Sequence, residues 1–242
     1  MMQIKTQAIV LRTVKYGEKQ VIVDLLTASQ GRVSFLVSIS NSKTARVKKQ
    51  LFQPLTLLRV EYRFKPNARL QRLEDVGLDE PFVSIPFHVV KQSLVMFLTE
   101  FLYNATWNEQ TNPSLFDYLR SSVLWLDQSS GNLANYHLVL MIHLSKFLGF
   151  FPNLTHYREG CFFDLRDAVF TTECPSHPDY LAPQEAQHLG LLTRLSFETM
   201  HILKLTRVQR RRALDIIVYY YRLHLPQMNE MRSLDVLGEL FA

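Results

Sequence analysis

The hydrophobic period of this sequence switches once, at about residue 84, and the switch separates a strand-forming stretch from a helix-forming one. Ahead of it, Ile4, Thr6, Ala8, Val10 and Arg12 alternate with Gln3, Lys5, Gln7, Ile9 and Leu11 in a run rich in β-branched residues. Two further short apolar runs, Gln20–Leu26 and Arg32–Ile39, are joined by Thr27-Ala28-Ser29-Gln30-Gly31, a connection of hairpin length with glycine at its end. Leu55–Phe64 and Leu70–Val76, with a turn at Pro66-Asn67, complete five candidate strands. Behind the switch, Val90, Leu94, Phe97, Leu98, Phe101 and Leu102 recur at helical spacing within 89–106. Asn112-Pro113 opens a helix running to about Leu126, with proline in the first turn where its missing N–H costs nothing. Asn135–Phe150 is apolar nearly all round and closes at Gly149 and Pro152. Pro183–Leu192, Gln209–His224 and Leu234–Phe241 are three more helical stretches.

Five short strands in under 80 residues, interrupted by one long basic insertion at 40–53, imply a small closed barrel of the OB type. An SH3-like barrel is the alternative, because periodicity does not distinguish barrels. The expected class is therefore α+β in two domains: a nucleic-acid-binding OB-fold barrel over 1–80 and an α-helical domain over 81–242. The stretch 77–87, with Pro81 and Pro86, reads as the linker.

A formal charge of +5 conceals how the charge is distributed. Residues 1–72 hold 14 Lys/Arg and three acids, a net of +11, and the remaining 170 residues carry −6. Such asymmetry points to a polyanionic partner for the first part. The densest run is the loop Lys43, Arg46, Lys48 and Lys49, with no acid among them. Arg12, Lys15, Lys19, Arg32, Arg59 and Arg63 extend the basic set across the expected strands, and Lys65, Arg69 and Arg72 lie beside them. Phe35, Phe52, Tyr62 and Phe64 could offer faces to bases between these cations, as in single-strand binders, although alternate aromatics of a barrel pack its core first.

Enzymatic signatures are missing. There is no phosphate loop, dinucleotide fingerprint, nucleophile elbow or paired-histidine metalloprotease motif, so no catalytic residue is expected. Neither a signal-peptide core nor a run of about 18 apolar residues occurs, which implies a soluble cytoplasmic protein without a membrane partner. Two cysteines cannot build a disulfide framework.

Two constellations lie in the helical part. Lys204, Arg207, Arg210, Arg211 and Arg212 crowd the start of a helix, where cations oppose the helix dipole, so they suit an acidic partner or a solvated face. Cys161-x2-Asp164 and Cys174-x2-His177 have the spacing of a zinc knuckle within about 156–182. Two thiolates, one carboxylate and one imidazole form an uncommon zinc set. A degenerate knuckle without metal is the favoured expectation, with zinc at those four residues as the alternative.

The assembled features resemble the RecO family of bacterial recombination mediators. The opening AIVLRTVKYGEKQVIVDLLTASQGRVSFLV, with Tyr16-Gly17-Glu18, Thr27 and Gly31, is similar to the family's first hairpins. Ser42 and Gln53-Pro54 fall at its basic loop and next strand, HLVLMIHLSKFLGFFPNL resembles its long helix ending in Leu-Gly-x-x-Pro, and HLPQMNEMRSLDVLGELF its C-terminal close. The resemblance spans essentially the whole chain. It implies binding of single- and double-stranded DNA, strand annealing, partnership with RecR, and contact with the acidic tail of single-strand DNA-binding protein so that RecA can be loaded. A nucleoid-associated location follows from it. Some members carry a four-cysteine zinc module where this chain keeps only Cys161 and Cys174. Read without the resemblance, the composition also fits an OB-fold RNA-binding, translation-associated module or a non-binding scaffold.

Overall fold

The computed structural model describes residues 2–39, 49–107 and 109–234. Lys43, Arg46 and Lys48 of the basic loop, and all of the expected terminal helix beyond Leu234, lie outside the described residues. The chain forms two compact units, one up to Ser129 with a segment beginning at Met231, the other Ser130–Glu230.

The first unit is built on five antiparallel strands: β1 (Met2–Tyr16), β2 (Gln20–Thr27), β3 (Gly31–Ser38), β4 (Leu57–Phe64) and β5 (Leu73–Glu80). They lie in the order β3-β2-β1-β4-β5, and a bridge from Phe35 to Gln71 ties β3 to the run leading into β5. Read around the ring this is 1-2-3-5-4, the arrangement of an OB barrel. β1 is long because it serves two partners. Met2–Ile9 pairs with β4 and Ala8–Tyr16 with β2, and an irregularity between Val10 and Arg12 re-aims the strand between them.

Ala8, Val10, Val21, Val23, Leu25, Val33, Phe35, Val37, Val60 and Tyr62 fill the interior. Ile9 and Leu11, on the opposite face, are equally buried, because helix α1 (Val89–Ala105) packs against β1 from outside. That covered outer face is why β1 does not alternate cleanly, whereas β3 does. Helix α2 (Pro113–Gln128) completes the unit, capped by the Asn112 side chain, which accepts from the Leu115 N–H at 3.1 Å.

The expected linker at 77–87 is folded. Gly77–Glu80 belongs to β5, and the backbone N–H groups of Val83, Ser84 and Ile85 donate to the Asp127 carboxylate at 2.8, 2.9 and 2.8 Å. Lys91 is buried beside them and donates to the carbonyls of Asp127 and Ser129 at 2.8 and 2.6 Å. The anchor comes from a helix forty residues downstream, so prolines at 81 and 86 mark the end of a strand rather than a mobile joint.

The second unit packs helices α3 (Tyr136–Leu148), α4 (Pro183–Leu192) and α5 (Arg207–His224) with a small sheet of β6 (Phe162–Asp164), β7 (Val169–Thr171) and β8 (Tyr180–Leu181). Helix α3 is buried almost all round and ends on Gly149, whose φ of 90° only glycine adopts without cost. Helix α5 begins two residues earlier than its apolar period suggests, because Thr206 and Gln209 form a reciprocal capping box. Its Tyr221 hydroxyl donates to the Met141 carbonyl of α3 at 2.6 Å. No helix among the described residues is long and apolar enough to cross a membrane.

Candidate nucleic-acid interface

The face of β1, β2 and β3 that points away from the barrel interior follows from the register. Val21, Val23 and Leu25 point inward, so Gln20, Ile22 and Asp24 point outward. Their β1 partners Tyr16, Val14 and Arg12, and their β3 partners Ser38, Leu36 and Ser34, share that outer face. Arg32 joins it opposite Leu26. Tyr16 is 53% exposed at one end of this strip. At the other end, Tyr103 of α1 lies under two guanidinium groups, 3.9 Å from Arg32 and 4.8 Å from Arg12 measured to the ring centroid. Trp107 follows one helical turn later, edge-on to Tyr103 at 6.1 Å, with Arg32 over its ring at 4.8 Å. Trp107 nevertheless remains 50% exposed.

The cations expected here divide by what they already hold. Arg32 is not offered to an outside phosphate: its side chain is only 8% exposed, it donates to the Tyr103 carbonyl at 2.6 Å, and Asp24 stands 4.0 Å away. It is a strut between sheet and helix. Arg12 is exposed but donates to the Tyr103 hydroxyl at 2.6 Å. Arg59 is exposed and faces the largely buried Asp79 at 3.7 Å, and Arg63 faces Glu74 at 2.8 Å on exposed surface, where such a pair opens readily. Lys15, Lys19 and Lys49 are exposed with no ion pair among the described residues. So are Lys65, Arg69 and Arg72.

These unpaired cations are grouped by backbone. Lys15 and Lys19 flank the β1–β2 turn, and Ile39 at the end of β3 donates to the Lys19 carbonyl at 2.8 Å. Lys65, Arg69 and Arg72 occupy the β4–β5 loop, which is organised by the buried Gln71. The Gln71 side chain donates to the carbonyls of Lys65 and Ala68, both at 2.9 Å, and accepts from the Lys65 N–H at 3.0 Å. Its backbone bonds Ser34 and Leu36 of β3 at 2.8 and 2.9 Å. Both basic loops are thus tied to β3. This clamp is why β5 starts at Leu73 and not at Leu70, where the apolar pattern places it.

The aromatics singled out for stacking belong to the interior. Phe35 and Tyr62 are fully buried and meet edge-on at 4.9 Å, Phe52 is 3% exposed, and Phe64 packs partly buried against the same core. Alternation placed Phe35, Tyr62 and Phe64 inward, and Phe52 packs from the short 3-10 turn Lys49–Phe52. The exposed rings beside this face, among the described residues, are Tyr16, which follows Lys15, and Trp107, for which the sequence signal is the i,i+4 pair Tyr103/Trp107 on the helix side away from the apolar stripe. The segment after Trp107 is fastened to the β2–β3 turn: Arg32 N–H donates to the Glu109 carbonyl at 3.1 Å, and Thr111 donates to the Ser29 carbonyl at 3.1 Å. Gly31 permits this approach. Its φ is +63°, and a Cβ there would stand 2.5 Å from the Gln110 backbone.

In the second unit the basic group at the start of α5 is likewise divided. Arg210 turns inward, donating to Asn135 at 3.2 Å and to the Leu205 carbonyl at 2.9 Å, and burial lowers its pKa. It is a packing residue, not a surface contact. Arg211 pairs with Asp215 at 3.3 Å and Arg212 with Glu185 at 2.6 Å, while Lys204 and Arg207 are exposed. Between α4 and α5 lies an apolar pocket lined by Leu189, Leu192, Val208, Ile216 and Ile217, with Arg212 and Glu185 among its lining residues.

Within the knuckle-like region, Asp164 and His177 come together at 3.0 Å. The other Asp164 oxygen accepts from the N–H groups of Arg166 and Asp167 at 2.8 and 3.2 Å, and His177 Nδ1 accepts from the Asp179 N–H at 3.2 Å. Both imidazole nitrogens are therefore occupied by neighbours. Asp179 also accepts from the Tyr219 hydroxyl and from Arg166, which hold its carboxyl below the usual range. Cys161 is buried and Cys174 exposed. Among the described residues no three Cys, His, Asp or Glu side chains converge as a metal requires.

Residues 1–82 match the family described as Recombination protein O N terminal, and residues 88–234 match Recombination protein O C terminal. The chain is 46% identical to the DNA repair protein RecO of Bacteroides fragilis (strain YCH46) over 238 residues, covering 98% of each. It is 44% identical to the DNA repair protein RecO of Phocaeicola vulgatus over 98% of this chain and 99% of the relative. Identity to the DNA repair protein RecO of Flavobacterium psychrophilum is 35% over the full length of both.

Proposed function

The chain belongs to the RecO family of recombination and DNA repair proteins, and we propose that it works by holding DNA backbones on its barrel so that complementary strands meet and anneal. The observation that carries this reading is the set of cations without an ion pair among the described residues, Lys15, Lys19, Lys65, Arg69 and Arg72, gathered at two loops that hydrogen-bond to β3 or to Ile39 just after it. The equivalent loops and the strand between them are the oligonucleotide-binding side of OB folds. Lys49 is exposed as well, and Lys43, Arg46 and Lys48 lie outside the described residues. Phosphate contact of this kind is driven by counterion release, so affinity depends steeply on salt and little on base identity. Two polyanions neutralised on one surface lose most of their mutual repulsion, and pairing then proceeds without any covalent step. Acting as a mediator of this kind, the protein works beside nucleoid DNA and has no catalytic residue.

The protein partners belong to the same reading: RecR, and through the cleared strand RecA. The acidic, apolar tail of single-strand DNA-binding protein fits the pocket between α4 and α5. Leu189, Leu192, Val208, Ile216 and Ile217 would take its apolar end and Arg212, with Lys204 and Arg207 nearby, its carboxylates. Val208→Asp and Arg212→Glu should each abolish binding of such a peptide. The knuckle-like region holds together by the Asp164–His177–Asp179 hydrogen bonds in place of zinc. Protein purified without chelator should contain no stoichiometric zinc by mass spectrometry, and chelator should leave its melting temperature unchanged.

The deciding experiment is a strand-annealing assay with oligonucleotides coated by the cognate single-strand DNA-binding protein. Faster annealing is expected, and it should fade as salt rises. No acceleration and no DNA binding at physiological salt would remove the reading. Single-stranded RNA winning a competition against DNA of equal length would replace it with an RNA-binding function.

A further inference from the structure

We propose that Trp107 and Tyr16 are base-stacking platforms at the two ends of the β1–β3 outer face, so that this surface distinguishes unpaired bases from duplex. The inference rests on the reading that the barrel binds DNA. Phosphate contacts alone require no aromatic rings, yet the rings this face leaves exposed stand at its two ends. Tyr16 lies beside Lys15 and Lys19, and Trp107 beside Arg32. The strip between them, Arg32 to Ser38 along β3, is on the order of 20 Å long at about 3.3 Å per residue. That is enough for a site of several nucleotides on one OB fold.

Trp107 is held rather than loose. Its ring meets Tyr103 edge-on and Arg32 from above, and its segment is pinned to the β2–β3 turn by the Arg32–Glu109 and Thr111–Ser29 bonds. Arg32, already satisfied by the Tyr103 carbonyl, does not need an indole to complete its hydrogen bonding. What the arrangement adds is a half-exposed ring braced on one side by a guanidinium that is already engaged with the protein. A base arriving there finds a stacking partner already braced by Tyr103 and Arg32. Duplex bases are stacked on each other and cannot reach either ring, so the platforms act on single strands only.

The chain has two tryptophans, Trp107 and Trp125, so Trp125→Phe leaves Trp107 as the sole reporter. In the full-length protein, its emission should be quenched on titration with an oligo-dT and stay unchanged with an abasic oligomer of the same length and charge. Independently, Trp107→Ala in the otherwise natural sequence should weaken oligo-dT binding on the order of 5- to 150-fold, the range for one stacked base. Trp107→Phe should recover part of that loss. The slope of log K against log salt, abasic-oligomer affinity and duplex affinity should not move. Tyr16→Ala should behave in the same way. Equal quenching by the abasic oligomer, or oligo-dT affinity unchanged by both alanine variants, overturns the platforms while leaving phosphate binding standing. Failure of the natural protein to bind either oligomer at physiological salt would overturn the DNA reading itself.

Discussion

The division of the barrel cations into free and engaged groups has a consequence that a titration can measure. Each cation that neutralises a DNA phosphate contributes about 0.7 to the slope of log K against log salt for single strands, and about 0.9 for duplex. Lys15 and Lys19 are exposed and have no ion pair among the described residues, so replacing both by alanine should lower the slope by about 1.4 on single strands and about 1.8 on duplex. The loop triple Lys65→Ala, Arg69→Ala, Arg72→Ala should lower it by about 2.1 and about 2.7. Arg32 carries the same formal charge but is committed to Tyr103 and Asp24, so Arg32→Met should leave the slope unchanged and lower the melting temperature instead. Arg59 and Arg63 should fall between, because a phosphate must first displace Asp79 or Glu74. Fluorescence anisotropy of a labelled oligo-dT at stepped salt concentrations reads all of these. A slope that Lys15→Ala/Lys19→Ala leaves alone, or one that Arg32→Met lowers as much as a lysine change, would refute the assignment of free and engaged charge.

Three further outcomes concern the scaffold. Asp127→Asn removes a charged acceptor from the Val83, Ser84 and Ile85 N–H groups and should cost on the order of 3 kcal/mol at pH 7 by denaturant unfolding. Burial acts to raise the Asp127 pKa, but those N–H groups outweigh it and hold the carboxyl below its usual range, so its contribution is complete above the ordinary carboxylate range, about pH 4, and is lost as pH falls through the lower folded value. The gap between natural protein and variant should therefore be constant near neutrality and narrow in acid; a gap that widens there refutes the sign. Tyr62→Phe deletes a core hydroxyl that lacks a partner among the described residues and should be neutral or stabilising by up to about 1 kcal/mol, a clear loss of stability being the contrary result. Gly31→Ala forces a Cβ into the Gln110 backbone at positive φ and should cost at least about 2 kcal/mol, roughly 4–8 °C in melting temperature, with an unchanged melt refuting the tight crossing.

Local chemistry made the element types legible. Period-two alternation in β3, the proline opening of α2 and the glycine stop of α3 each act within a few residues, and each element stands where those signals place it. The net charge of the first 72 residues was legible for the same reason, since it needs only counting. Which charges are free was not. Arg32 and Lys15 look alike in the sequence, and what separates them is Tyr103, seventy-one residues beyond Arg32. The folded 77–87 segment depends in the same way on Asp127. The aromatics of the strands were legible as core for a physical reason, since alternation identifies core rings well; it says nothing of rings that fall outside it, at a strand end for Tyr16 and past a helix end for Trp107.

A protein that brings strands together must grip them without competing with their pairing, and the two kinds of contact on this barrel meet that requirement differently. Phosphates stay accessible in a duplex, so Lys15, Lys19 and the β4–β5 loop can hold a strand before and after it pairs. Bases do not stay accessible, and any base on Trp107 or Tyr16 must leave its platform to pair. Two platforms contribute about 2–6 kcal/mol in total at 1–3 kcal/mol per stacked base. A DNA step contributes about 1.4 kcal/mol on average, so some five steps of growing duplex, about 7 kcal/mol, outweigh even the strongest platforms. Short accidental pairings of two or three steps, about 3–4 kcal/mol, do not outweigh platforms at the upper end of their range. Stacking of this strength therefore acts as a threshold: it releases bases to a nucleus long enough to be complementary and holds them against a shorter one. The variant with both rings removed should consequently anneal mismatched strands relatively faster than the natural protein does.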